Sequence, residues 1–266
     1  MYPSDKRYPD HIADQVKKGT TTCALICKDG VVLAADTRAS AGFFIADRHV
    51  MKIQKVDRHL AMTIAGGVAD AQNLVDVMRY NSNLYRLQNK ELMPIKSAAR
   101  LCSNVLFNQR FFPYYVQIIM AGWTKEEGGQ IYNIDLFGSM TTEKFISTGS
   151  GSPVAYGYLE SEYKEDMSVN DAYKIAMHAI AAAIRRNAGT GDNINVVIID
   201  NDGYRALTRE EKAEVGVVFQ SQLSQCLLAF KSVSYILKEI ACPMRLLAYS
   251  QIIIISSIHL ASKNLN

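Results

Sequence analysis

A glycine followed by three threonines, in Lys18-Gly19-Thr20-Thr21-Thr22-Cys23, stands where a polar leader meets the first apolar run of the chain. Residues 1–19 hold four basic and three acidic side chains and two prolines, with almost no apolar periodicity, so they read as an arm rather than part of a core. A cut between Gly19 and Thr20 would leave Thr20 with a hydroxyl and a free α-amine on one residue. That amine has an ordinary pKa of about 8, closer to neutrality than a lysine side chain, and so can accept the hydroxyl proton locally. Nucleophile and base in one residue is the threonine form of covalent catalysis. The plainer alternative is a glycine turn entering a strand rich in β-favouring threonine.

The elements that must position Thr20 follow from the pattern downstream. Thr21–Cys27 and Val31–Asp36 predict two strands joined at Asp29-Gly30, a strong hairpin signal. Both are apolar on both faces, which predicts a sheet covered on each side. A loop at Ala41-Gly42 leads to strands at Met51–Val56 and Leu60–Ile64. Beyond Gly66-Gly67, a helix carries Ala71, Leu74, Val75 and Met78 on one stripe, continued by Leu84 and Leu87. A second helix begins at Pro94 and runs to about Arg110. Tyr115–Trp123, Gln130–Leu136 and Lys144–Ser147 predict strands again. A short helix spans Ser152–Tyr163, and Ser168-Val-Asn-Asp171 starts a longer one as a capping box. Its stripe runs from Ala172 to Ile184, with Arg185 and Arg186 in the last turn and Gly189 as the stop. Asn193–Asp200 and Tyr204–Leu207 close the pattern. Strands, two helices, strands, two helices, strands imply an α+β fold, a four-layer α-β-β-α sandwich.

Composition narrows the function classes. The chain has 266 residues, 48% of them apolar and 21% charged, ordinary for a globular protein with a sizeable core. Its 29 basic and 26 acidic residues leave no basic footprint for nucleic acid, since four of the basic and only one of the acidic lie in 216–266. The cysteines Cys23, Cys27, Cys102, Cys226 and Cys242 are scattered and read as reduced thiols. No secretory h-region opens the chain, so a cytoplasmic location is expected. His49, His59 and His178 are isolated, and neither a metal nor a cofactor is expected. Gly149-Ser150-Gly151-Ser152 lacks the Gly-Lys-Ser/Thr ending of a phosphate loop.

Six ordered motifs carry a resemblance: Gly19-Thr20-Thr21-Thr22; Ala35-Asp36-Thr37-Arg38-Ala39-Ser40-Ala41-Gly42; Lys52; Ala65-Gly66-Gly67-Val68-Ala69-Asp70; Ser147-Thr148-Gly149-Ser150-Gly151-Ser152; and the run from Arg186 to Asp192. From about Gly19 to about Thr208 the chain resembles the β-type subunits of the proteasome, N-terminal-nucleophile hydrolases, and is most similar to the archaeal and bacterial-type homomeric forms. The resemblance implies the N-terminal-nucleophile hydrolase fold. It also implies a threonine endopeptidase made as a zymogen, with residues 1–19 removed by self-cleavage and 20–215 forming the peptidase domain. Thr20 is the implied nucleophile. Lys52 is implied beside it as an ammonium that favours the neutral amine and the nascent alkoxide, with Asp36 holding Lys52 in place. The Gly66 N–H is the implied oxyanion donor, worth roughly 3–4 kcal/mol in acyl-transfer sites. Arg38 is expected to belong to a structural ion pair.

The implied substrate-binding residues are Ala39, Ser40, Val50, Ile64 and Val68. Ala39, Val50, Ile64 and Val68 match the pocket for the residue before the scissile bond, and their apolar character predicts cleavage after large hydrophobic residues. Gln54 and Gln72 nearby could admit polar side chains. The implied partners are other β-type and α-type subunits in stacked seven-membered rings, a regulatory ATPase acting through the α rings, and unfolded polypeptides as substrates. Neither nucleic acid nor membrane is expected as a partner.

Ser150 matches the family serine that supports the threonine amine, but the next motif departs from the pattern. The family has Asp, two spacer residues, then Ser-Gly; this chain has Asn187-Ala188-Gly189-Thr190-Gly191. Asn187 keeps the shape of aspartate and loses its charge, while Thr190 keeps a hydroxyl. The alternative is therefore a ring-building β-type subunit with weak or no activity. Residues 216–266 match nothing in the family. Leu246–Ala261 is sixteen uncharged residues, short of the ~20 that span a bilayer. A packing or docking segment, a membrane-surface helix and a gene-end read-through without selected structure all fit this stretch. The third is favoured because no helical stripe or turn chemistry is maintained.

Overall fold

The computed structural model describes residues 19–41 and 43–216. Residues 1–18 of the expected leader (1–19) and 217–266 of the expected extension (216–266) lie outside the described residues.

The site-bearing sheet is built from the most apolar segments. β1 (Thr22–Cys27) and β2 (Gly30–Asp36) form the expected hairpin, in register from Thr22 opposite Ala35 to Cys27 opposite Gly30. Every residue of β2 is buried, as its two-faced apolar run requires. β10 (Phe145–Thr148) pairs on the other side of β1, and β11 (Ile194–Asp200) pairs with β2 and with β12 (Gly203–Ala206). The sheet order is β10-β1-β2-β11-β12, antiparallel throughout, so the start of β1 lies between two neighbouring strands.

The second sheet, β5-β6-β7-β8-β9, is also antiparallel. Its strands are β5 (Ile53–Asp57), β6 (Leu60–Gly66), β7 (Val116–Thr124), β8 (Gly128–Ile134) and β9 (Met140–Thr142). Alternate residues of the two sheets meet in one core: Ala24, Leu33 and Ala35 from the first, Ala61, Ile119 and Ile131 from the second. On its outer face the second sheet packs against α1 (Val68–Asn89) and α2 (Ile95–Asn108), through Leu74, Met78, Ala98, Cys102 and Leu106. α3 (Ser152–Glu162) and α4 (Val169–Arg186) lie on the first sheet. The small side chains of Ala172, Ala176, Ala179 and Ala183 are all buried, which lets α4 approach the sheet closely. The layers are helix, sheet, sheet, helix.

Five local features differ from the sequence expectation. The segment after β2 is a two-stranded ribbon, β3 (Ala39–Ala41) with β4 (Phe44–Asp47), rather than a plain loop. β9 and a final short helix α5 (Arg209–Glu214) are additional elements. At the start of α4, Ser168 Oγ caps the Asp171 N–H, but the Asp171 carboxylate bonds the Ser168 hydroxyl and not the backbone. The reciprocal capping box belongs to Thr208 and Glu211 at α5, where the longer glutamate reaches back to the Thr208 N–H. Finally, α4 ends on Asn187 in extended conformation, so Gly189 is not its cap.

Cys23, Cys27 and Cys102 are free and buried, and burial pushes their thiols up to about 12. No helix among the described residues is long and apolar enough to cross a membrane. Among the same residues, no group of three or more His, Cys, Asp and Glu side chains could hold a metal ion.

Candidate active site

Thr20 sits just ahead of β1, where the ends of β2 and β10 flank the chain, and it is buried. Its Oγ1 donates to the Gly19 carbonyl oxygen at 2.7 Å, and its peptide N–H donates to Ser150 Oγ at 3.3 Å. Gly149 precedes Ser150 with φ of +92°, and a Cβ there would lie 2.2 Å from the Thr20 carbonyl oxygen. A Cβ on Gly151 would lie 2.1 Å from Thr21 Oγ1. These glycines let the β10–α3 loop press its backbone onto Thr20 and Thr21, which gives the glycine-rich run a packing role.

Asp36 ends β2 and is completely buried. Its Oδ1 accepts from Lys52 Nζ at 2.7 Å and from the Thr21 N–H at 2.9 Å. Its Oδ2 accepts from the Gly191 N–H at 2.9 Å and the Arg38 N–H at 3.2 Å. Four donors satisfy a charge that would otherwise be very costly to bury. Lys52 is itself buried, and its Nζ also lies 3.5 Å from the Gly19 carbonyl oxygen. Burial lowers the Lys52 pKa and outweighs the opposing pull of Asp36, so this ammonium gives up a proton more readily than a free lysine.

Asn187 presents Oδ1 to two donors, the Gly189 N–H at 2.8 Å and the Ser150 hydroxyl at 3.2 Å. The Gly189 N–H fixes the amide orientation, because only the oxygen can accept it. The Ser150 hydroxyl has one proton, and the Thr20 carbonyl oxygen at 3.4 Å is the more distant of its two acceptors. The chain of bonds thus runs from the Thr20 N–H through Ser150 to Asn187. Thr190 is placed differently: its hydroxyl, buried, shares a 2.7 Å bond with Thr21 Oγ1, so its link to Thr20 is through the neighbouring residue.

Gly66 has φ of +123°, and a Cβ there would lie 2.1 Å from the Tyr115 carbonyl oxygen. Glycine is required for the backbone to turn from β6 toward α1. Gly66 also borders a cavity of about 600 Å³ that Thr20 and Lys52 line as well. Ala39, Val50, Ile64 and Val68 all line this cavity, as do Gln54 and Gln72. Ser40 is not part of its lining; its Oγ accepts the Gly19 N–H at 2.8 Å. The sequence also left unassigned Asp192, whose carboxylate bonds Arg38 Nε at 2.9 Å and Arg48 at 2.8 Å. Burial would raise this carboxyl, but the Arg38 hydrogen bond and charge, aided by Arg48, hold it below the usual range. The ion pair expected for Arg38 is this one, and Arg38 also ties down the Ala188 carbonyl at 3.1 Å.

The α-β-β-α order, with a threonine just ahead of β1, is the α+β sandwich of the N-terminal-nucleophile hydrolases. A family profile described as "Proteasome subunit" matches residues 16–199. The chain is 52% identical over 206 residues to proteasome subunit beta 2 of Nitrosopumilus maritimus, covering 77% of this chain and 98% of that one. It is 50% identical over 189 residues to proteasome subunit beta 2 of Aeropyrum pernix, covering 71% and 85% respectively. With proteasome subunit beta of Methanothermobacter thermautotrophicus the identity is 46% over 195 residues, covering 73% and 92%. The chain belongs to the proteasome subunit family, and its archaeal relatives are β-type.

Proposed function

We propose that the chain is a threonine endopeptidase of the proteasome core, made as a precursor that cuts itself between Gly19 and Thr20. The observation that carries this reading is a convergence on one carbonyl: Gly19 O lies 2.7 Å from Thr20 Oγ1 and 3.5 Å from Lys52 Nζ. In the precursor, Thr20 Oγ bonds to the Gly19 carbonyl carbon, and Lys52 steadies the charge that moves onto the oxygen. The Gly19–Thr20 C–N bond then breaks, and the Thr20 nitrogen takes up the proton that Oγ lost and becomes an amine. Water hydrolyses the resulting ester, which releases the leader as a carboxylate and regenerates the hydroxyl.

In turnover the free amine accepts the Thr20 proton as Oγ attacks a substrate carbonyl, and passes it to the leaving amine. The acyl-enzyme is then hydrolysed. Asp36 holds Lys52, Ser150 and Asn187 orient the amine, Thr190 steadies Thr21, and the Gly66 N–H serves as oxyanion donor. The apolar Ala39, Val50, Ile64 and Val68 support cleavage after hydrophobic residues. A ring-building role with weak or no activity is the second reading, favoured by the missing charge at position 187. The Asn187 oxygen nevertheless occupies the acceptor position that Ser150 needs, which supports activity.

The assembly we propose is stacked seven-membered rings with other β-type and α-type subunits, with a regulatory ATPase acting through the α rings on unfolded polypeptides in the cytoplasm. Exposed Phe107, Phe111, Phe112 and Phe137 support subunit contacts, since isolated chains seldom leave so many aromatics in solvent. Residues 1–19 are assigned as the leader, 20–215 as the peptidase domain and 216–266 as an extension. The test is intact mass and hydrolysis of a peptide with leucine before the scissile bond, on assembled particles of wild type and Thr20→Ala. Loss of residues 1–19 and turnover in wild type alone are expected. A retained leader with no turnover in wild type would favour the ring-building role.

A further inference from the structure

Gln54 is one of two polar residues, with Gln72, that the sequence sets against an apolar pocket, and its carboxamide is already engaged. Along β5, Ile53 packs into the core between the sheets while Val56 packs toward the helices, which places Gln54 on the α1 side. Its Nε2 donates to the Met51 carbonyl oxygen at 2.7 Å. Its Oε1 accepts from Arg79 at 2.9 Å. Arg79 belongs to α1 and is not among the residues that line the cavity. Arg79 Nε donates to the Lys55 carbonyl oxygen at 2.7 Å, and Asp76 stands 3.7 Å from the guanidinium one turn earlier. The planar fork therefore bonds two consecutive residues of β5 at once. A guanidinium only donates, so the amide atom facing it is fixed as oxygen.

We propose that Arg79 is a positioning residue for specificity: it holds the Gln54 carboxamide against the protein, so that the pocket offers a substrate the glutamine's aliphatic stem rather than a free amide. This rests on the peptidase reading of the site. Freed from Arg79, the amide would turn and offer both donor and acceptor to a polar side chain before the scissile bond. One neutral hydrogen bond gained by such a substrate corresponds to about a fivefold change.

The test uses assembled particles of wild type, Arg79→Met, and Arg79→Met combined with Gln54→Leu. Methionine keeps a long stem on the helix surface and removes every donor. Two fluorogenic peptides, identical except for Leu or Gln before the bond, give a ratio of kcat/KM. In Arg79→Met the Leu-to-Gln ratio is expected to fall about fivefold, through a rise for the Gln peptide, and Gln54→Leu should restore it. Leader removal, read by intact mass, should be unchanged because Gly19 has no side chain to select. A ratio within twofold of wild type in Arg79→Met, or a fall that Gln54→Leu does not reverse, overturns the proposal. Calorimetry with non-cleavable peptides ending in leucinol or glutaminol reads the same ratio without turnover. A silent wild type would thus refute catalysis, while the affinity ratio would still decide the role of Arg79.

Discussion

Gly19 and Gly189 meet backbone against backbone: a Cβ on Gly19 would fall 2.0 Å from the Gly189 Cα, and a Cβ on Gly189 would fall 2.4 Å from the Gly19 Cα. Neither residue has room for a methyl group, and the atoms opposed are main chain, which cannot step aside cheaply. This contact holds the Gly19–Thr20 peptide, the proposed point of cleavage, in the site, and Ser40 accepts the Gly19 N–H. Gly189→Ala should therefore slow leader removal by about tenfold or more, equivalent to ~1.4 kcal/mol of barrier. The contact vanishes once Gly19 has left, so peptide hydrolysis per processed subunit should fall much less. A time course of intact mass beside turnover per processed subunit separates the two, and equal losses in both would refute this account.

Lys52→Ala should abolish leader removal and peptide hydrolysis together, because both steps place charge on an oxygen near Nζ. It should also destabilise the fold by about 3–5 kcal/mol, since the Asp36 carboxylate would keep its burial and lose its cation. Lys52→Arg should retain more stability than alanine without restoring either reaction. The guanidinium is wider and planar, and in this enclosed space it would misplace the charge and crowd the amine. Thermal midpoints read with turnover per particle check both halves, and wild-type turnover in Lys52→Arg would overturn the role given to Lys52.

Asp192 makes a prediction about acid stability. Its carboxyl is held below the usual range, chiefly by Arg38 against the opposing effect of burial, so its folded pKa lies below its unfolded one. Such a group contributes stability that is fully present above the unfolded pKa of about 4 and is lost as pH falls through the folded value. Asp192→Asn should lower the thermal midpoint at pH 7, and the gap to wild type should narrow as pH falls below the unfolded pKa of about 4. A gap that stays constant from pH 7 to pH 3 would show that the carboxylate charge is not what stabilises this corner.

The layers were legible because they depend on local pattern, whereas the site residues beyond Thr20 were expected only from the family resemblance. Fully apolar strands announced a doubly covered sheet, and the alanine stripe of α4 announced close packing. Thr20, Asp36, Lys52 and Ser150 stand at strand ends and in a strand-to-helix loop, where ordered motifs are readable one by one. The β3–β4 ribbon was not legible, since Ala39–Ala41 is three residues of weak β preference whose pairing is set by a partner beyond a turn. Gly189 looked like a helix stop because a glycine after a basic last turn usually is one. Its actual constraint, the approach of Gly19, spans most of the chain and leaves no local trace. Thr190 could be read only as a hydroxyl kept within the motif, and the folded arrangement shows that hydroxyl on Thr21.

Asn187 poses the sharpest test, because geometry and charge point in different directions there. Its Oδ1 accepts from the Gly189 N–H and the Ser150 hydroxyl, and an aspartate in the same place would accept both bonds. Asn187→Asp should therefore leave the arrangement of Ser150 and Thr20 intact and add one negative charge. A nearby anion favours the protonated form of the Thr20 amine once the leader is gone, so it raises the amine's pKa. The base is then neutral over a narrower range, and the acid limb of the kcat/KM profile should move to higher pH by about one unit or less. On the alkaline side of that limb the two enzymes should turn over alike. A tenfold rise in turnover at all pH values would mean instead that the natural asparagine fails to support the amine. An unmoved limb would mean that the charge at position 187 is not felt at Thr20. A full pH profile for both proteins, normalised to processed subunits, distinguishes these outcomes, and the geometry around Ser150 predicts the shifted limb.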